Sequence, residues 1–251
     1  MESWHIPVLM LVGVATGWLN VIAGGGSLLS VPAMLFLGLP GPVANGTNRI
    51  AILMQNITAV TTFRRRGFSD FHLSLSLSAA AILGAVGGAF LGTAVAGIWF
   101  NRILAAIMAG VLALMLSEKA LMAAVGPAVD GRPRRRVLGH ILMIAAGAWG
   151  GFIQIGVGFI MMPILARVMG LDLVRVNMHK VFIILVYTPV TLLIFASRVE
   201  IAWGAGIALG LGTALGGWLG THATITRGAP FIRRIFAATV VALIIKLVFF
   251  P

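Results

Sequence analysis

Gly24-Gly25-Gly26-Ser27-Leu28-Leu29-Ser30-Val31-Pro32, followed further on by Asn45-Gly46-Thr47-Asn48-Arg49, is the stretch on which the reading of this chain turns. It lies within a long apolar run, residues 5–38, interrupted by the three glycines. About 12 apolar residues follow them, roughly 18 Å of helix, too short to cross some 30 Å of hydrocarbon. A broken or hairpin helix is therefore expected at residues 5–38. The sequence alone leaves open whether this run crosses once, crosses twice or turns back.

The composition states what surrounds such a helix. Of 251 residues, 60% are hydrophobic and only 10% charged, with a mean hydropathy of +1.07. Soluble domains average about 25% charged residues, so most of this surface faces lipid. The fold class is an all-α integral membrane protein, placed in the cell inner membrane as a multi-pass chain. Its lead segment has no basic region before it and is expected to be retained rather than cleaved. The net charge of +12 comes from 18 Lys and Arg against 6 Asp and Glu. Basic loops at an anionic cytoplasmic leaflet explain it. Nothing alternates base with aromatic in the manner of a nucleic-acid surface, so no nucleic acid is expected as a partner. The chain has no Cys, which excludes disulfides and thiolate chemistry.

Working outward from the glycines, the apolar segments are 5–38, 43–63, 71–97 and 101–123. A polar stretch from Val125 to Arg136 follows, and then 137–169, 176–196, 200–225 and 231–250. The second set repeats the first. Gly17-Trp18-Leu19-Asn20 matches Gly151-Phe152-Ile153-Gln154, Gly24–Gly26 matches Gly156–Gly158, and Pro32 matches Pro163. Asn48-Arg49 matches His179-Lys180, and Gly87-Gly88 with Gly92-Thr93 matches Gly216-Gly217 with Gly220-Thr221. The expected organisation is two homologous repeats of about four hydrophobic segments: residues 1–124, a basic cytoplasmic linker at 125–136, and residues 137–251. Each repeat opens with a broken or re-entrant helix. An odd number of spans per half makes the repeat inverted, with the site between the halves. Arg64, Arg65 and Arg66 share a side with the linker arginines, which marks that side as cytoplasmic.

No carboxylate falls within a span, which counts against a cation as solute. The polar residues that do enter the apolar runs are Asn20, Asn48, Arg49, Gln154, His179 and Lys180. Arg49 and Lys180 have no acid within reach on their own helices. Either a bound anion offsets them or they snorkel to the headgroups. Gly24, Gly25 and Gly26, with Ser27 as cap, and Gly156 and Gly158 in the other half, are expected to open helices whose free N–H groups face an anion. Pro32 and Pro163 are expected to kink those helices, and Trp18 is a further candidate for the lining. The other glycines are read as close helix contacts. His179 is the candidate carrier of a coupling proton, because its side chain titrates nearest neutrality. No enzyme motif is present: no Lys-Ser/Thr pair follows the triple glycine, and the five His never fall at metal-ligand spacing. No metal or cofactor is expected.

The glycine-rich run through Pro32, the Asn45–Arg49 segment, and Gly150-Gly151-Phe152-Ile153-Gln154-Ile155-Gly156-Val157-Gly158 with Pro163 together resemble the signature of the sulfite exporter TauE/SafE family. The resemblance covers nearly the whole chain. It implies a bacterial inner-membrane secondary transporter that exports sulfite, sulfoacetate or another small sulfur-containing anion, driven by membrane potential or a proton gradient. The second half departs from the pattern at Asn177-Met178-His179, where the choice of anion is expected to reside. An uncoupled anion channel or a permease for another oxyanion or a carboxylate remains open, as do a membrane enzyme, an assembly factor and a homodimer.

Overall fold

The computed structural model describes residues 5–23, 25–116 and 134–226. The described residues form helices α1 (His5–Ala23), α2 (Ser27–Phe36), α3 (Gly41–Arg65), α4 (Phe71–Ala94), α5 (Gly97–Leu116), α6 (Arg136–Phe152), α7 (Val157–Pro163), α8 (Leu173–Ala196) and α9 (Trp203–Thr226). A π-helical turn, Ile164–Val168, continues α7. Gly24, most of the expected linker and the segment 231–250 lie outside the described residues. Arg136, read as the last linker residue, is the first residue of α6.

Both interruptions are present, and at each the chain turns back. A Cβ on Gly26 would overlap the Thr16 carbonyl of α1, so α2 starts by folding against the helix it follows. In the second half, Gly150 faces Val157 and Gly139 faces Met169, so the α7 segment runs back along α6. Gly156 (φ 72°) and Gln154 (φ 62°) make the reversal in the left-handed region. For Gln154 this is a strained conformation that surrounding contacts must hold. Pro163 closes α7, and the π turn begins directly after it, with Met169 N–H bonding Ile164 O at 3.0 Å. Gly158 lies inside α7 rather than in the break. Helix α2 continues through Pro32 to Phe36.

Glycines set the helix pairs. Cβ atoms on Gly212, Gly216 and Gly220 of α9 would collide with the main chain at Met10, Val14 and Trp18 of α1. Those on Gly84, Gly88 and Gly92 of α4 would collide with the main chain at Ile144, Ala148 and Phe152 of α6. Contacts that advance together on both helices make each pair parallel. By contrast, Gly87 faces open space and Gly217 meets the Gln55 side chain, so Gly88 and Gly216 play matching parts. Helices α3 and α8 are antiparallel: Arg49 bonds Thr191, while Phe63 packs with Met178 and Val181.

The polarity is that of a membrane protein. Leu75, Leu83, Phe90 and Leu91 of α4, Ile141 of α6 and Leu211, Leu215 and Trp218 of α9 are exposed, while Arg49, His179 and Lys180 are buried. Residues His5–Ile22, Phe71–Ala94 and Val174–Ala196 are long and apolar enough to span a bilayer. Asp70 and Asp172 cap α4 and α8, accepting from Leu73 N–H and from Val174 and Arg175 N–H. That explains two of the acids at segment ends without a solute.

Because a side chain at Gly88 meets backbone that cannot yield, Gly88→Leu should destabilise the protein by about 3 kcal/mol or more. Gly87→Ala should change stability by less than about 0.5 kcal/mol. Thermal unfolding in detergent micelles measures both.

Candidate functional site

Helix α3 carries two adjacent buried polar lines, one through Asn48 and Gln55 and the other through Asn45, Arg49 and Asn56. With 3.6 residues per turn, positions seven apart fall on one face, so the two lines look toward different neighbours. The first faces α1 and α2. Ser30 Oγ donates to Asn48 Oδ1 at 2.6 Å, Asn48 Nδ2 donates to Ser27 Oγ at 3.3 Å, and Asn20 Nδ2 donates to Gln55 Oε1 at 2.9 Å. Ser27 thus serves Asn48 and does not cap α2 as expected. Gly26 holds the cap position in helical conformation, without a side-chain bond. The hydroxyl had a better partner across the interface than within its own turn.

The second line faces the end of α6. Arg49 is fully buried and donates to Gly150 O (3.4 Å), Gln154 Oε1 (3.2 Å), Thr191 Oγ1 (2.7 Å) and Gly151 O, with its guanidinium 4.2 Å from the Phe195 ring centroid. Asn45 Nδ2 donates to Phe152 O at 2.9 Å. Two side chains of α3 therefore cover the last carbonyls of α6, where the helix dipole is negative and no N–H follows. Gln154 is held from its other end, donating to the hydroxyl of Tyr187 at 3.1 Å. Trp149 Nε1 donates to Ile155 O at 2.8 Å and fixes the break itself.

The arrangement is reciprocated. Lys180 on α8 is buried and donates to Asn20 O (3.3 Å), Val21 O (3.0 Å) and Asn177 Oδ1 (2.7 Å). It covers the last carbonyls of α1. Each half thus sends one cation to the C-terminal end of the other half's broken helix. Neither side chain snorkels, and among the described residues neither has a carboxylate partner. The sequence left these charges either offset by an anion or snorkelling to the headgroups; the structure places them at helix C-termini. Lys180 lies 11 residues before Thr191, the partner of Arg49, so the two cations act about 16 Å apart along the antiparallel α3–α8 pair.

The two breaks share one apolar cluster, in which Leu28, Leu29 and Val31 pack with Ile153 and Ile155. Gly25, Gly26, Ser27, Gly156 and Gly158 are buried around it, and Trp18 packs at its edge. His179 stands apart from both cations' bonds: its Nδ1 is 2.8 Å from Ser74 Oγ of α4, and its buried Nε2 has no partner. Arg49 Nε, Gln55 Nε2, Asn45 Oδ1, Asn56 Oδ1 and Thr16 Oγ1 are also buried without a partner. Sequence reasoning passed over Gln55, Asn56, Tyr187 and Thr191, and it read Asn45 and Asn177 only as parts of the family pattern. The neutral residues it singled out were those paired across the two sets of segments, and Gln55 and Asn56 have no such pair, although the seven-residue spacing from Asn48 and Arg49 marks them.

The sulfite exporter TauE/SafE family description matches residues 9–247. The chain belongs to that family. It is 27% identical over 250 residues to the "Probable membrane transporter protein ORF9" of Sinorhizobium sp, covering 99% of this chain and 95% of that one. It is 25% identical over 236 residues to a "Probable membrane transporter protein" of Haemophilus influenzae, covering 91% and 88%. It is equally 25% identical to the "Probable membrane transporter protein YfcA" of Escherichia coli K12, covering 91% and 84%. No solved structure matches the chain significantly. The TauE/SafE chain is accordingly a membrane transporter for a small molecule, working in a lipid environment.

Removing a buried partner from a helix end is costly. Asn45→Ala leaves Phe152 O unpaired and should cost about 1–3 kcal/mol. Asn56→Ala should cost less, because Asn56 Nδ2 bonds only Ile52 O of its own helix. Unfolding in detergent orders the two variants.

Proposed function

We propose that this TauE/SafE chain is a secondary transporter that exports a small sulfur-containing anion (sulfite, sulfoacetate or a related organosulfonate) across the inner membrane by alternating access. One observation carries the reading: two buried cations with no carboxylate partner among the described residues, each held at a helix end that belongs to the opposite half. Hydrogen bonds occupy all three donors of Lys180 and leave Arg49 Nε open, and carbonyl dipoles only partly neutralise the two charges. A desolvated oxyanion supplies the missing charge and charge-assisted bonds stronger than those to amide oxygens. The candidate lining is Asn20, Gly24, Gly25, Gly26, Ser27, Asn48, Arg49, Gln154, Gly156, Gly158, His179 and Lys180, to which the buried faces add Gln55 and Asn56.

In this reading residues 1–124 and 137–251 are inverted repeats joined by the basic linker 125–136. The antiparallel α3–α8 pair and the matched glycine contacts of α1–α9 and α4–α6 support it. Arg64–Arg66 put the C-terminal end of α3 in the cytoplasm. Lys180 then serves the cytoplasmic half of the path and Arg49 the outer half. An anion passes from one to the other as the hairpin tips alternately release their cations.

His179 is the coupling residue in this scheme. A pocket of about 10 Å³ lined by Arg64, Asp70, Ser74 and Met178 lies beside it, room for a single water. Ser74 bonds His179 directly, so a proton has a short route in from the cytoplasmic end.

Reconstituted protein should accumulate labelled sulfite in inside-out vesicles, and Arg49→Gln and Lys180→Gln should each reduce initial rates about tenfold or more. Equal rates in wild type and both variants would sink the reading. His179→Gln should abolish the response to an imposed proton gradient while leaving sulfite–sulfite exchange intact. An unchanged gradient response removes His179 from coupling.

A further inference from the structure

We infer that Asn177 is an internal stand-in for the transported anion at Lys180, and that the solute enters this station by displacing it. This rests on the transport reading above and deepens it, because it names the group that a small oxyanion must replace.

An ammonium has three N–H donors, and in Lys180 all three are used, by Asn20 O, Val21 O and Asn177 Oδ1. All three acceptors are neutral. The site attracts an anion but has no donor to offer until one acceptor leaves. Two of the acceptors are main-chain carbonyls at the end of α1, a helix fixed against α9 by the glycine contacts. The third, at 2.7 Å the shortest bond, is a side-chain amide that leaves by a simple χ rotation. Asn177 lies one turn before Lys180, toward the end of α8 that packs against the arginine-bearing end of α3. An anion arriving from that end meets the amide first.

The other station is built differently. The residue three before Arg49 is Gly46, and a Cβ there would lie 2.7 Å from Ile201 Cδ1 and 3.0 Å from Phe195 Cδ1. No acceptor on its own helix serves Arg49, and its Nε is left without a partner. One cation therefore has an open donor while the other is fully occupied. An oxyanion with several equivalent oxygens, such as sulfite or a sulfonate group, replaces the single amide oxygen of Asn177 with charged ones.

The test is titration calorimetry of the purified full chain with sulfite, comparing wild type, Asn177→Asp and Asn177→Ala, with melting temperatures recorded for each. A carboxylate at 177 would hold the ammonium permanently, so Asn177→Asp should bind sulfite about tenfold or more weakly. Asn177→Ala removes the competitor and should bind as tightly as wild type or more so. Wild-type affinity in Asn177→Asp overturns the inference alone. So does a folded Asn177→Ala that loses affinity, and this variant decides the matter if the aspartate does not fold. A wild type that binds neither sulfite nor thiosulfate nor sulfoacetate overturns the transport reading together with this one.

Discussion

A buried positive charge at the negative end of a helix is the interaction on which this structure rests, and it occurs twice with the halves exchanged. Ending a helix inside the membrane leaves carbonyls without N–H partners, which hydrocarbon does not tolerate. Bringing an arginine or a lysine into the same region is equally unfavourable by itself. Here each problem resolves the other. Arg49 and Asn45 cover the end of α6, and Lys180 covers the end of α1. The breaks persist because the cations come from across the molecule, and the cations are tolerated because the breaks are there.

The cross-over also makes the site responsive. A bond between a side chain and a helix end in the other half senses the relative position of the halves in a way no local cap does. Charge is only partly compensated at both places, and the proposed transport of an oxyanion rests on that. In that proposal the neutral groups along α3 and α8, notably Gln55, Asn56 and Asn177, set how the solute is hydrogen-bonded between the two cations.

Much of this was legible from the residues. Long apolar runs, glycine interruptions and the paired order of Asn48-Arg49 and His179-Lys180 all reflect strong local constraints: helix length against hydrocarbon thickness, and the cost of charge within it. Most of what the cations touch was not legible, because every partner but Asn177 lies more than 100 residues away and four of them are main-chain carbonyl oxygens, which every residue possesses. The misread cap at Ser27 has the same origin, since a serine at a helix start reads as a local cap and the competing amide of Asn48 is distant in sequence. Likewise Gln154 in a left-handed conformation carries no sequence mark. Its geometry is imposed by Arg49 on one side and by the chain's single tyrosine on the other.

The glycine contacts join α1 to α9 and α4 to α6, each pair drawn from both sides of residues 117–133. The boundary read from the gene is thus not the mechanical one. Any rigid piece that tilts during transport is a mosaic of early and late sequence, and a polypeptide severed between Leu116 and Arg134 would yield fragments that each lack the surface against which their first helix is built.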